Sequence, residues 1–300
     1  MYNMKKVTLF ATGVIMMSCA QQQKITYPET AKVDTVDVYF GTEVPDPYRW
    51  LENDTSAATA AWVEAQNKVT NDYLSKIPFR DALLKRLTDV ANYEKIGTPF
   101  KKHGKYYFYK NDGLQNQSVL YVQDSLDGEP RVFLDPNKLS DDGTVALTSI
   151  SFSNNGKYTG YTISRSGSDW QEIYVMDTET GKLLDDHIQW AKFTGASWQG
   201  DGFYYSADDA PVKGKEFSNV NENHKIYYHK MGTPQSQDKL VYQNQAYPKR
   251  FYSVSVNEDE TILFLYESGD GRGNDLYMKD LRQPNAPFIA MATDMDYTYA

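Results

Sequence analysis

The chain has one cysteine, Cys19, in 300 residues, so no intrachain disulfide can form in any compartment. It has no long apolar stretch either. The run Val7 to Met17 is about half of the ~20 residues that a membrane-crossing helix needs. Several catalytic signatures are missing. There is no G-x-S-x-G nucleophile elbow, no P-loop, no G-x-G-x-x-G leading into a helix and no H-E-x-x-H. The four histidines, His103, His187, His224 and His229, are scattered. His224 and His229 are five apart, a spacing that does not put both on one strand face, so a metal site is unsupported and no cofactor is expected. The net charge is −9, and it is −11 once Lys5 and Lys6 near the start are set aside, which opposes nucleic-acid binding. Basic pairs such as Lys101-Lys102 therefore read as solvated strand ends.

What is abundant is tyrosine, 24 residues within an aromatic content of 14%. Tyrosine favours half-buried strands, with an apolar body and a polar tip. A mean hydropathy of −0.63 and 24% charged residues fit a body in water.

The first 19 residues read as a signal peptide: a basic pair, a short apolar core, then Met16-Met17-Ser18-Cys19. A small residue followed by Cys at this place is similar to a bacterial lipoprotein processing site, with Met16 where an aliphatic Leu is usual. Cys19 is thus expected to carry lipid and to anchor an exported, periplasmic protein. A chance cysteine in a signal cut elsewhere is the plain alternative. Residues 20–27 read as a polar tether.

Residues 28–98 read as a lead-in. Val36 to Gly41 is a strand pattern, and the two prolines in Val44-Pro45-Asp46-Pro47 exclude a helix or central strand there. A helix capped by Thr55 or Ser56 follows, with Trp62, Ala65, Val69 and Tyr73 on one face. Pro78 opens a second helix, whose buried side is expected to be Leu83, Leu84, Leu87, Val90 and Ala91. Helices of this kind need a partner for their apolar faces.

From residue 99 to 300 the pattern is short extended runs and turn formers. Phe152-Ser153-Asn154-Asn155-Gly156-Lys157-Tyr158 is echoed by Trp198-Gln199-Gly200-Asp201-Gly202-Phe203-Tyr204 and, more weakly, by Val256 to Ile262. An earlier divergent unit starts near Gly104. A strand follows each copy: Glu172 to Asp177, Lys225 to His229 and Asn274 to Asp280. Such a period predicts propeller blades, each a small sheet that its neighbours must cover. About four blades are expected, with a β-sandwich as the rival. The pairs Asp141-Asp142, Asp185-Asp186 and Asp208-Asp209 read as solvated turn formers, not as catalytic acids.

Several segments resemble the prolyl oligopeptidase (prolyl endopeptidase) family of serine peptidases. They are Asp46-Pro47-Tyr48-Arg49-Trp50-Leu51-Glu52, Val63 to Lys68, Gly113 to Gln117, Leu120-Tyr121-Val122-Gln123-Asp124, Val132 to Asn137, Ser140 to Thr144 and Gly167 to Trp170. The likeness spans roughly residues 28 to 299. It implies a mainly β fold: a partial propeller of about four blades, preceded by a helical segment that belongs with an α/β-hydrolase domain. It also implies cleavage of short peptides after proline, with the propeller gating entry. The family's Ser, Asp and His lie C-terminal to the matching stretch, so no catalytic residue is assigned and the 300 residues alone are expected to be inactive. Two positions are implied to touch substrate. Phe193, in Lys192-Phe193-Thr194, matches a phenylalanine lining the family's peptide pocket, and Phe251 falls where the family often has Met. Core packing is the competing role for each. A partner-binding, non-catalytic propeller lipoprotein and a related oligopeptidase with other specificity, such as for basic residues, are the alternative readings.

The Cys19 expectation has a direct check. Metabolic labelling with a palmitate analogue should mark the protein, and Cys19→Ala should abolish the label; label that survives the substitution refutes lipidation.

Overall fold

The computed structural model describes residues 25–213, 216, 220–269 and 271–300. Cys19 and the signal segment lie outside them. The chain divides into two compact units, one ending at Arg80 and the other running from Asp81 to Ala300.

The first unit opens with a hairpin, β1 (Val36–Tyr39) and β2 (Thr42–Pro45). Its turn residues Phe40 and Gly41 both have positive φ, 50° and 82°, the handedness a two-residue hairpin turn requires. Pro45 is tolerated because a two-stranded sheet has only edges. A 3-10 turn follows over Arg49–Glu52, where Arg49 pairs with Asp37 and with Asp46 at 2.7 Å. Helix α1 (Ala57–Leu74) starts at Ser56, whose Oγ accepts from the Thr59 amide at 3.1 Å. Trp62 donates its indole N–H to Thr30 Oγ1 at 2.9 Å, tying the helix to the leading strand of chain.

Helix α2 (Arg80–Ala91) departs from expectation in one respect. Leu83, Leu84, Leu87 and Val90, read from sequence as its buried side, are each at least half exposed.

Four blades follow in chain order. The first contains β3 (Lys95–Ile96), β4 (Phe100–Lys102), β5 (Lys105–Asn111), β6 (Val119–Gln123) and β7 (Arg131–Leu134). The second is β8 (Val145–Phe152), β9 (Tyr158–Arg165), β10 (Trp170–Asp177) and β11 (Leu183–Lys192). The third is β12 (Ser197–Gln199), β13 (Gly202–Ala207), β14 (Lys225–Lys230) and β15 (Lys239–Tyr242). The fourth is β16 (Phe251–Val256), β17 (Ile262–Ser268), β18 (Asn274–Asp280) and β19 (Ile289–Ala292). Every pairing is antiparallel, and the repeated turns join the first two strands of a blade, through Asn155-Gly156 in the second, Gly200-Asp201 in the third and the glycine-free Asn257 to Thr261 in the fourth. No described strand closes the array into a ring.

The cores lie between blades. Strand β13 shows why: all six of its residues are buried. Phe203, Tyr205 and Ala207 pack with Ile173, Val175 and Ile188 of the second blade, while Tyr204 packs with Tyr252, Leu263 and Leu265 of the fourth. Period-two alternation thus feeds two cores from one strand. Between the first and second blades, Tyr107, Phe133 and Phe152 form an aromatic cluster with centroids 4.8–5.8 Å apart. Gly160 lets Trp198 approach its backbone; a Cβ there would lie 3.2 Å from the indole. The indole N–H donates to Ser151 Oγ at 3.0 Å.

One buried polar cluster pins the second blade to the third. His229 is 1% exposed and sits between Asp238 (Nδ1 to Oδ1, 2.7 Å) and Asp186 (Nε2 to Oδ1, 3.0 Å). Tyr205 donates to the other oxygen of Asp238 at 2.7 Å, and the Gly232 amide donates to Asp186. Asp186 was expected in a solvated turn. It lies instead within β11, where alternation turns it inward while Asp185 stays exposed. Two acceptors, one on each ring nitrogen, require an imidazolium. Burial works against that charge, but the hydrogen bonds from His229 to Asp238 and Asp186 outweigh it and raise the pKa.

The consequence for stability has a definite sign. A raised folded-state pKa makes the contribution complete below about 6.5, the ordinary histidine value, and removes it as pH rises through the folded value. Urea unfolding should therefore show stability falling as pH rises above about 6.5. His229→Leu, which strands two buried carboxylates, should cost on the order of 3–5 kcal/mol and flatten that pH dependence.

Candidate functional site

The register of the strands collects a set of side chains at one rim. Trp170 at the start of β10 pairs with Lys192 at the end of β11, and Ala191 pairs with Ala207 at the end of β13. Lys225 at the start of β14 pairs with Ala207, and Phe251 starts β16. Strand ends from three blades thus meet at one place.

Phe193 follows β11 directly. Its φ is 49°, in the left-handed region that a bulky L-residue seldom adopts, and the residue is 52% exposed. Thr194 holds the bend: its amide donates to Gln171 Oε1 at 3.0 Å, and its hydroxyl accepts from the Ser206 amide at 2.9 Å. Phe251, half-buried, meets Phe193 edge to face, with centroids 5.5 Å apart at 82°.

Both phenylalanines are positioned by one imidazole, that of His224. His224 is 2% exposed. Its Nδ1 accepts from the Tyr252 amide at 2.9 Å, and its Nε2 faces the Lys192 carbonyl at 3.3 Å. One acceptor and one donor nitrogen make a neutral ring. Burial holds its pKa down to about 4, which keeps the ring neutral across the physiological range. The residues it ties together, Lys192 and Tyr252, are the immediate neighbours of Phe193 and Phe251. Its ring also lies 5.5 Å from that of Phe251.

Lys192 is itself buried. Its ammonium donates to Asn221 Oδ1 at 2.9 Å and lies 4.4 Å from the centre of the Trp170 ring. Trp170 in turn meets Trp190 edge to face at 5.5 Å. The last member of the group is Asp208, which is 8% exposed. Burial, reinforced by Asp209, raises its pKa to about 6 against the opposing influence of Lys192 and Lys225. Asp208 was also expected in a solvated turn. It follows a fully buried strand without a break and keeps that strand's burial, while Asp209 emerges and pairs with Lys225. Of the three acid pairs, Asp141-Asp142 alone is exposed as expected, with Asp142 accepting from the Thr144 amide at 3.0 Å.

The rim therefore offers an aromatic wall, a buried cation and a buried acid. Among the described residues it has no nucleophile–base pair: the imidazole of His224 is spent on two backbone groups. These features define a propeller rim suited to binding. The chain belongs to the family described as "Prolyl oligopeptidase, N-terminal beta-propeller domain", which it matches over residues 28–300. It is 48% identical over 297 residues to a prolyl endopeptidase of Elizabethkingia meningoseptica, covering 98% of this chain and 42% of that protein. It is 34% identical to prolyl oligopeptidase A of Amanita bisporigera, over 90% of this chain and 40% of that one. Among solved structures it is similar to prolyl oligopeptidase B of Galerina marginata bound to a 35mer hydrolysis and macrocyclization substrate. There the TM-score is 0.75 and the identity 29%, over 91% of this chain and 42% of the other. The chain thus spans about two fifths of the length of these relatives.

The exposure of Phe193 separates a binding role from a packing role. Phe193→Ala should change unfolding stability by less than about 1 kcal/mol. Phe203→Ala, in a fully buried position, should cost about 3–5 kcal/mol. A Phe193 cost in the second range would assign that ring to the core.

Proposed function

We propose that this chain is the substrate-gating propeller portion of an exported serine peptidase that hydrolyses short peptides on the carboxyl side of proline. The observation that carries the reading is the family match over residues 28–300, with relatives named prolyl endopeptidase. In this reading Phe193 and Phe251 offer an apolar wall to a peptide side chain, and His224 fixes the spacing between them. A proline-containing peptide loses little conformational freedom on binding such a wall, since proline already fixes one backbone torsion.

The chemistry is assigned to the rest of such an enzyme. This chain has no G-x-S-x-G, and it accounts for 42% of the length of the Elizabethkingia relatives. A serine attacks the carbonyl, a histidine takes and returns the proton, and an aspartate orients the histidine. The exposed leucines of α2 are proposed to be covered by the α/β-hydrolase domain carrying those groups. Export to the periplasm and a lipid anchor at Cys19 complete the proposal.

Residues 1–300 alone should not turn over a fluorogenic proline peptide; measurable hydrolysis would move the chemistry onto this chain. In an enzyme that includes the hydrolase domain, Phe193→Ala should raise KM for proline peptides several-fold and leave kcat nearly unchanged. Unaltered KM would remove Phe193 from the binding wall.

A further inference from the structure

Asp208 is buried, yet neither of its carboxylate oxygens accepts a hydrogen bond from any described residue. A carboxylate withdrawn from water without donors is expensive, and native proteins satisfy such groups with water, an ion or a ligand. Two described cations that act on it, Lys192 and Lys225, are already engaged. Lys225 is paired with Asp209, and Lys192 is held by Asn221 and the Trp170 ring. Neither forms an ion pair with Asp208 among the described residues.

The position of Asp208 adds a second observation. Along β13, Tyr204 packs toward the fourth blade and Ser206 donates to the Tyr252 carbonyl at 2.8 Å. Continuing that alternation just past the strand end puts Asp208, two residues beyond Ser206, on the side that faces β16, which Phe251 begins. The Ser206 amide is also bonded to Thr194, the neighbour of Phe193. An unsatisfied carboxylate on the same side as an aromatic pair, of which Phe193 is exposed and Phe251 half-buried, combines the two attractions a cation finds: opposite charge and ring faces.

We propose that Asp208, with Phe193 and Phe251, forms a subsite for a primary ammonium group carried beside an apolar side chain. The ligand is a peptide presenting either its free amino terminus or a lysine side chain. This rests on the peptide-binding reading of the aromatic pair. The ammonium donates to the free oxygens of Asp208, and the adjoining side chain lies against Phe193. Peptides with a blocked amine bind through the rings alone.

The test is calorimetric titration of the chain at pH 7.0. At this pH an α-ammonium is largely charged, its pKa being about 7.7–8.0. The probes are Phe-Ala-Pro amide, its N-acetyl form, N-acetyl-Lys-Ala-Pro amide, benzylammonium and uncharged benzyl alcohol. The free-amine peptide should bind at least tenfold more tightly than its acetylated form. Asp208→Asn, which keeps size and shape, should erase the difference without weakening the acetylated peptide. Asp208→Ser, checked for native circular dichroism, should do the same. Benzylammonium, but not benzyl alcohol, should bind the unsubstituted chain alone. An advantage for the lysine peptide assigns the ammonium to a side chain, and its absence assigns it to the amino terminus. The free-amine preference should fade as pH falls from 7 to 5, because protonation of Asp208 removes the acceptor. The groups that set that titration are Lys192 from β11, Lys225 from β14 and the adjacent Asp209, and His224 stays neutral throughout this window. Equal binding of free and acetylated peptides, with no benzylammonium binding, overturns the subsite and leaves the peptide reading intact. Asp208-dependent benzylammonium binding without binding of any peptide does the reverse. A preference that survives in Asp208→Asn, or no binding of any probe, also overturns the subsite.

Discussion

A four-stranded antiparallel sheet has two faces and cannot cover either by itself. That constraint governs residues 99–300. Strand β13 meets it by sending Phe203 and Tyr205 one way and Tyr204 the other, so its burial depends on both neighbouring blades. Burying side chains of this size contributes about 1.5–3 kcal/mol each. Polar side chains then fix how the faces meet. Trp198 reaches Ser151, Ser206 reaches the Tyr252 carbonyl, and His229 joins Asp186 to Asp238. At the far rim, Asn154 donates to the Glu258 carbonyl at 3.0 Å, and the Gly200 amide donates to Glu260 at 2.7 Å. The turns that repeat in sequence are the turns that touch in space.

The same stacking makes a strained residue affordable at the opposite rim. Left-handed backbone at a non-glycine residue costs on the order of 1–3 kcal/mol. Phe193 keeps it because Thr194 is bonded on both sides and His224 holds the preceding carbonyl. Relaxing the bend would release those bonds together. The ring is thus presented outward from a rigid strand end, a favourable arrangement for a recognition surface.

Much of this was legible in the residues. Turn copies near Gly156, Gly200 and Asp259 marked the strand pairs of three blades, and the strands after them fell where expected. Ser56 was readable as a cap, and long matching segments carried the family. Phe193 was found by resemblance, since nothing in local composition distinguishes it from a core phenylalanine. His224 and Asp208 were not found. Their roles depend on which strand ends become neighbours, and blade stacking sets that across 16 to 46 residues of chain. A signal for Asp208 did exist: an acid that follows Gly-Phe-Tyr-Tyr-Ser-Ala without a turn residue inherits the strand's burial. The leucines of α2 teach the converse lesson. Amphipathic spacing marks a face to be covered, without saying that the same stretch of chain supplies the cover.

The second and third blades differ from the others in one respect: Ala191 and Ala207 form a ladder pair, so β8 to β15 belong to one continuous sheet. The other blade boundaries rest on side chains and turns. The seam is a single rung wide, yet it lies at the rim that carries Phe193 and Asp208, while the His229 cluster fastens the same two blades elsewhere. Phe193 and Asp208 are thus tied through backbone to one sheet, while Phe251 joins them only across a boundary of packed side chains. The aromatic wall is built half on a hydrogen-bonded sheet and half on its neighbour, so its width is set by side-chain packing.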